Sequence, residues 1–212
     1  MRIKTGESII LFDGLGNWAP AILKQVGKRS SLLGIGEVQC KLGVLPFHLT
    51  IATALPKGDR ESFLLEKLTE LGVQEIVPLQ TSRSVVHPRD AQSRLGRYSL
   101  EACKQCGRNL LPVIREMTTF QDFCNEEAEG ARWFMHPGSD PQLGPLLSQG
   151  SRPTRIRVMI GPEGGFSDKE SDEATTKGYK IWSLDPNILR IETAAIAAAA
   201  GLSAVWSKCH TD

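Results

Sequence analysis

From residue 47 onward, short apolar runs alternate with helical stretches, and this alternation limits the fold more than any other feature. FHLTIATAL (47–55), QEIVPLQT (74–81), ARWFMHP (131–137), RIRVMIGPEGG (155–165) and YKIWSLD (179–185) read as strands rich in Val, Ile and aromatics. Between them, ESFLLEKLTELG (61–72) places apolar residues at 64, 65, 68 and 71, a helical spacing that Gly72 stops. DAQSRLGRYSLEACKQCGR (90–108) predicts a long helix halted by Pro112, and ETAAIAAAAGLSAVWSK (192–208) a final one. SDKESDEATTKG (167–178) predicts a helix with Ser167 or Asp168 as N-cap and Gly178 at its end. Strand and helix in turn argue an α/β domain around a mainly parallel sheet.

Residues 1–44 follow another rhythm. ESIILFDG, WAPAILKQV and SLLGIGEVQC are short apolar runs broken by DGLGN and GKRS, punctuation that suits a small β-barrel or meander. Pro46 in LGVLP marks a boundary, giving a β domain over 1–45 and an α/β domain over 46–212. No window has the length of uncharged apolar sequence that a membrane span needs, and the N-terminus lacks the apolar core of a signal peptide. Five cysteines, an odd number, suggest reduced thiols in a cytoplasm. Cys103 and Cys106 form a C-x-x-C inside a helix, with no second ligand pair and the four histidines scattered. Two helix thiols are the preferred reading, and no metal site is expected.

The net charge of +1 hides a segregation of sign. Residues 83–115 carry seven bases and two acids; residues 116–151 carry one base and six acids. The first block, with Lys57 and Arg60 in LPKGDR (55–60), Arg83 in TSRSVV (81–86), and Arg89, Arg94, Arg97 and Arg108, forms a credible phosphate-contact surface. Solvated surface charge is the plainer reading of each residue taken singly.

Two stretches point to a small-molecule site. Ile160-Gly161-Pro162-Glu163-Gly164-Gly165-Phe166-Ser167 brings a strand into three glycines and then a capped helix, and glycines let the backbone approach a ligand closely. It is neither a P-loop nor a Rossmann glycine motif, and Glu163 suits a phosphate poorly. Leu184 through Ala194 holds a strand end, a Pro turn and a helix start, with Arg190 just before the helix.

IGPEGGFS followed by ILRIETA resembles the paired C-terminal motifs of the RsmE family, 16S ribosomal RNA uridine-N3 methyltransferases of the SPOUT superfamily. LPKGDR, EKLTELGV, TSRSVV and EACKQCGRNLLPVI are similar to the family's other motifs in the same order. The resemblance implies a trefoil-knotted, mainly parallel sheet with helices on both faces, preceded by a PUA-like barrel that is shortened here. It further implies S-adenosyl-L-methionine as cofactor, a homodimer, and 16S rRNA within the small subunit as partner. Carried over residue by residue, Gly161, Pro162, Glu163, Gly164 and Gly165 would wrap the cofactor. Ile160, His136 and Pro137 would line the pocket, Leu184, Ile188 and Leu189 would contact adenine and ribose, and Arg190, Glu192, Thr193 and Ala194 would close the site. Arg190 is the first candidate for stabilising charge on the uracil, Arg83 the second, and Glu163 a possible base. The chain departs from the family pattern at Asp185 and Asn187, where Gly and Arg are usual. Another SPOUT substrate RNA, or a non-catalytic RNA-binding protein of this fold, are the rival readings.

Overall fold

The computed structural model describes residues 3–40, 45–85, 91–137, 153–184 and 187–207. The N-terminal runs form an antiparallel sheet of β1 (Ser8–Phe12), β2 (Asn17–Val26), β3 (Ser31–Ile35) and β4 (Gln39–Cys40), in the order β1-β2-β3 with β4 also beside β2. The third apolar run thus supplies two strands rather than one. At the β1–β2 turn the Asp13 carboxylate accepts the Leu15 and Asn17 backbone N–H groups at 2.7 and 3.1 Å. Gly14 and Gly16 take the positive φ that the turn requires, 78° and 106°.

The expected alternation follows as β5 (His48–Thr53), α1 (Asp59–Glu70), β6 (Glu75–Gln80), α2 (Ala91–Cys106), β7 (Val113–Ile114), β8 (Thr118–Thr119), α3 (Phe120–Asn125), β9 (Ala131–Met135), β10 (Arg155–Ile160), α4 (Asp168–Thr176), β11 (Lys180–Trp182) and α5 (Ile191–Ser207). The second sheet has the order β11-β9-β10-β5-β6-β7, with β8 beside β6, and each of its recorded pairings is parallel. This matches the α/β class expected. The order β11-β9-β10 is out of sequence, so the chain returns past β10 to lay β11 on the far side of β9. Among the described residues no helix is long and apolar enough to cross a membrane.

Strand alternation sorts side chains to two cores. Leu49 and Ile51 of β5, Ile76 of β6 and Ile156, Val158 and Ile160 of β10 pack with Leu64, Leu65 and Leu68 of α1. On the other face Ala52, Val77, Leu79, Phe134 and Met159 pack with Phe120, Phe123 and Phe166. Both faces are covered, as a parallel sheet demands. The alanines of α5 explain themselves here. Ala195, Ala198 and Ala199 are fully buried in the first core, and α5 lies on α1, β5 and β10. Small side chains let three elements approach closely.

Candidate active site

Parallel register sets the carboxyl ends of β9, β10 and β11 side by side, so the residues after each strand meet. Met135 ends β9, and His136 and Pro137 follow it; Ile160 ends β10, and Gly161, Pro162, Glu163 and Gly165 follow; Trp182 ends β11, and Ser183 and Leu184 follow. Asn187, Ile188, Leu189, Ile191 and Ala194 complete a narrow cleft of about 70 Å³. Its position beyond strand carboxyl ends is where α/β sheets bind small ligands.

The glycines have distinct jobs. Gly165 holds φ 66° and donates its N–H to Pro162 O at 2.8 Å, closing the turn. A Cβ on Gly161 would sit 3.3 Å from the Phe166 ring and from the Gly165 backbone, so a side chain there would have to push these neighbours aside by a few tenths of an ångström. Phe166 anchors the turn from beneath, packed edge-on against Phe134 in the second core. Ser167, the N-cap, then opens α4 in a capping box with Glu170.

Three links tie this turn to the start of α1 and the loop after β6. Glu170 accepts the Ser82 N–H and hydroxyl at 2.8 and 2.9 Å as well as the Ser167 N–H at 2.8 Å. Arg83 Nη1 donates to Gly164 O at 2.6 Å and Phe166 O at 3.1 Å. Arg60 Nη1 pairs with Glu163 at 3.2 Å and reaches the buried Glu192 at 3.7 Å. Burial alone would raise the Glu170 carboxyl, but the donors of Ser167 and Ser82 together outweigh it and hold the group below its ordinary value. The sign follows: a depressed folded-state value stabilises the fold above the ordinary carboxylate range and loses that contribution as pH falls through the lower value. Glu170→Gln is therefore expected to cost about 1–3 kcal/mol at neutral pH and to blunt the loss of stability in acid, read by thermal melts from pH 3 to 7.

The structure brings eleven of the expected cofactor residues onto the cleft wall: His136, Pro137, Ile160, Gly161, Pro162, Glu163, Gly165, Leu184, Ile188, Leu189 and Ala194. Gly164, Arg190, Glu192 and Thr193 flank it without lining it. Met135, Trp182, Ser183, Asn187 and Ile191 line it and were not singled out for cofactor contact. The rule that ligands sit past strand ends could have found the first three.

Part of the expected basic surface is committed to contacts within the protein. Arg94 makes a two-pronged pair with Glu61 at 2.7 and 2.9 Å. Arg108 is buried and donates to Thr69 O at 2.8 Å. Lys57 is exposed, as is Arg97, which lies over the Tyr98 ring at 5.8 Å. Arg89 and Asp185 lie outside the described residues.

Fold and cleft together define a class. The RNA methyltransferase domain family matches residues 44–203, and the chain belongs to that family. The likeness then narrows to one kind of member, as the RsmE resemblance anticipates. Ribosomal RNA small subunit methyltransferase E of Synechocystis sp. is 32% identical over 211 residues, 97% of this chain and 68% of that protein. A methyltransferase of Legionella pneumophila, solved with bound S-adenosylmethionine, superposes with a TM-score of 0.88 at 32% identity, covering 96% of this chain and 85% of the other. The Neisseria gonorrhoeae ribosomal RNA small subunit methyltransferase E, also bound to S-adenosylmethionine, gives 0.87 at 29% identity, with the same coverage.

Proposed function

We propose that this protein transfers a methyl group from S-adenosylmethionine to N3 of a uridine in 16S ribosomal RNA of the small subunit, acting in the cytoplasm as a homodimer. One observation carries the reading: three strand-end loops converge on one cleft beside a glycine turn so closely packed that a Cβ at Gly161 would press on Phe166, in a chain related to small-subunit methyltransferases along nearly its whole length. In this reading residues 46–212 are the catalytic domain and the β domain of residues 1–45 helps hold the RNA.

The cleft suits the cofactor. Leu184, Ile188, Leu189 and Ala194 offer apolar walls for a flat base, and the bare backbone of the 161–165 turn offers close polar contact. When bound, S-adenosylmethionine supplies an electrophilic methyl group on a sulfonium. The protein's tasks are then positioning and charge. N3 of uracil lies on the pairing edge, so the base must be unpaired to enter. Its imide proton must leave before the nitrogen lone pair can attack, and negative charge then spreads to the uracil oxygens. Arg190 stabilises that charge. Glu163, held by Arg60 on the cleft wall, receives the proton. Arg83 acts as a positioning residue through its grip on Gly164 and Phe166.

Glu163→Gln is expected to lower kcat about tenfold, short of the ~10²–10⁴ of a dedicated base, because solvent also reaches this half-exposed group. Cofactor affinity should be unchanged and the pH–rate profile shifted to higher pH. A loss of affinity with kcat intact would assign Glu163 to binding alone. The function itself is tested by incubating the protein with radiolabelled S-adenosylmethionine and either small subunits, free 16S rRNA or transfer RNA. Label in small-subunit RNA is expected; label only in transfer RNA would replace the substrate assigned.

A further inference from the structure

A second and larger cleft, of about 790 Å³, opens where the N-terminal sheet meets the end of α2. Its two walls are fixed to each other. Gly16 N–H donates to Asn109 O at 3.1 Å, Asn109 Nδ2 to Gly16 O at 2.7 Å, and Leu111 N–H to Gly14 O at 2.9 Å. A Cβ on Gly14 would lie 2.6 Å from the Leu111 side chain, which shows how closely the turn docks. The cleft is therefore preformed.

One wall is aromatic. Phe12 and Trp18 are directly opposite each other in the β1–β2 register and both line the cleft, each only partly buried. Opposite partners share a sheet face. The other wall is cationic. Arg108 is 9% exposed, and Nη1 caps the end of α1 through Thr69 O, but Nε and Nη2 meet no acceptor among the described residues. Buried guanidinium donors without acceptors are costly unless a ligand meets them. Lys104 lines the same wall as Arg108 and, among the described residues, is held by an exposed pair with Glu101 that a stronger acceptor can displace. The acid on this wall, Glu70, is already paired with Lys67 at 2.9 Å.

A stacking face opposite two cations is the chemistry of an unpaired nucleotide. We propose that this cleft, apart from the methyl-transfer cleft, holds one single-stranded RNA nucleotide, its base on Phe12 and Trp18 and its phosphate on Arg108 and Lys104. The proposal rests on the RNA-directed reading above and adds a second anchor to it. Such an anchor keeps the RNA strand on the enzyme while the target base enters the other cleft.

The test measures binding of a fluorescein-labelled, unstructured oligouridylate to the full chain. Trp18→Leu, which keeps apolar bulk but removes the ring, should weaken affinity about tenfold, the scale of one base–aromatic stack. Trp18→Phe should retain most of the affinity, a rescue that a purely structural role does not predict. Lys104→Ala should lower the slope of log affinity against log salt by about one unit. S-adenosylmethionine affinity, followed by calorimetry, should be unchanged in all three, which also reports that they fold. Wild-type affinity and salt slope in Trp18→Leu and Lys104→Ala would overturn the site while leaving the enzymatic reading standing. No binding by the wild-type chain, with no methyl transfer to 16S rRNA, would overturn both.

Discussion

Arg190→Ala is expected to cut methyl transfer about a hundred- to a thousandfold, the usual cost of removing a donor that meets developing negative charge, while S-adenosylmethionine binding stays close to wild type. The expectation comes from what the other arginines near the cleft are doing. Arg60 is paired with Glu163 and Glu192, and Arg83 holds Gly164 and Phe166. Arg190 is exposed, and among the described residues nothing occupies its guanidinium. It stands between Leu189 and Ile191, both on the cleft wall, and its carbonyl accepts the Ala194 N–H at 2.9 Å to open α5. A donor beside the cleft, uncommitted to any of the described residues, is what a flipped uracil needs. Arg190→Lys keeps the charge but not the forked geometry and should recover only part of the rate. Separate assays of binding and turnover decide the matter. Full activity in Arg190→Ala would remove the residue from the mechanism, and a matching loss of cofactor affinity would make it a binding residue instead.

Gly161→Val is expected to raise the Kd for S-adenosylmethionine about ten- to a hundredfold, from the roughly 1–3 kcal/mol that overpacking costs. The neighbours that would have to move are the Phe166 ring and the Gly165 backbone, both 3.3 Å from a Cβ built at 161. Phe166 is itself locked in the second core, so the turn, not the ring, must shift. Gly165 should respond by another rule. Nothing lies within 4 Å of a Cβ there, but φ is 66°. Gly165→Asn should be tolerated, since Asn visits the left-handed region, whereas Gly165→Val should not. Calorimetric titration of the three variants, with thermal melts as a fold control, separates space from backbone conformation. Equal affinity in all three would mean that the turn does not shape the cleft.

Local features were legible in the sequence and distant partnerships were not. The Ser167 cap, the glycine turn and the end of α1 at Gly72 are written within a few residues of where they act. The strand–helix alternation likewise gave the sheet and its helices, although the two-residue strands β7 and β8 and the six-residue α3 are too short to carry a period. The ionic links were out of reach because tertiary packing sets them. Arg60 meets Glu163 103 residues away, and Arg83 meets Gly164 81 residues away. The two charge blocks also meet through such a link. Glu126, from the acidic block, accepts Arg115 and, at 3.0 Å, Arg157, so part of that block neutralises arginines on and beside the sheet. Arg108, read as a surface cation, is a buried one with two donors still to be met.

The central claim is the reaction, and nucleoside mass analysis tests it most directly. Small-subunit ribosomal RNA from cells lacking this gene should contain no 3-methyluridine, and incubation of those subunits with the purified protein and S-adenosylmethionine should restore it. An undiminished 3-methyluridine content in the deletion strain, or restoration of a different methylated nucleoside, would contradict the assignment.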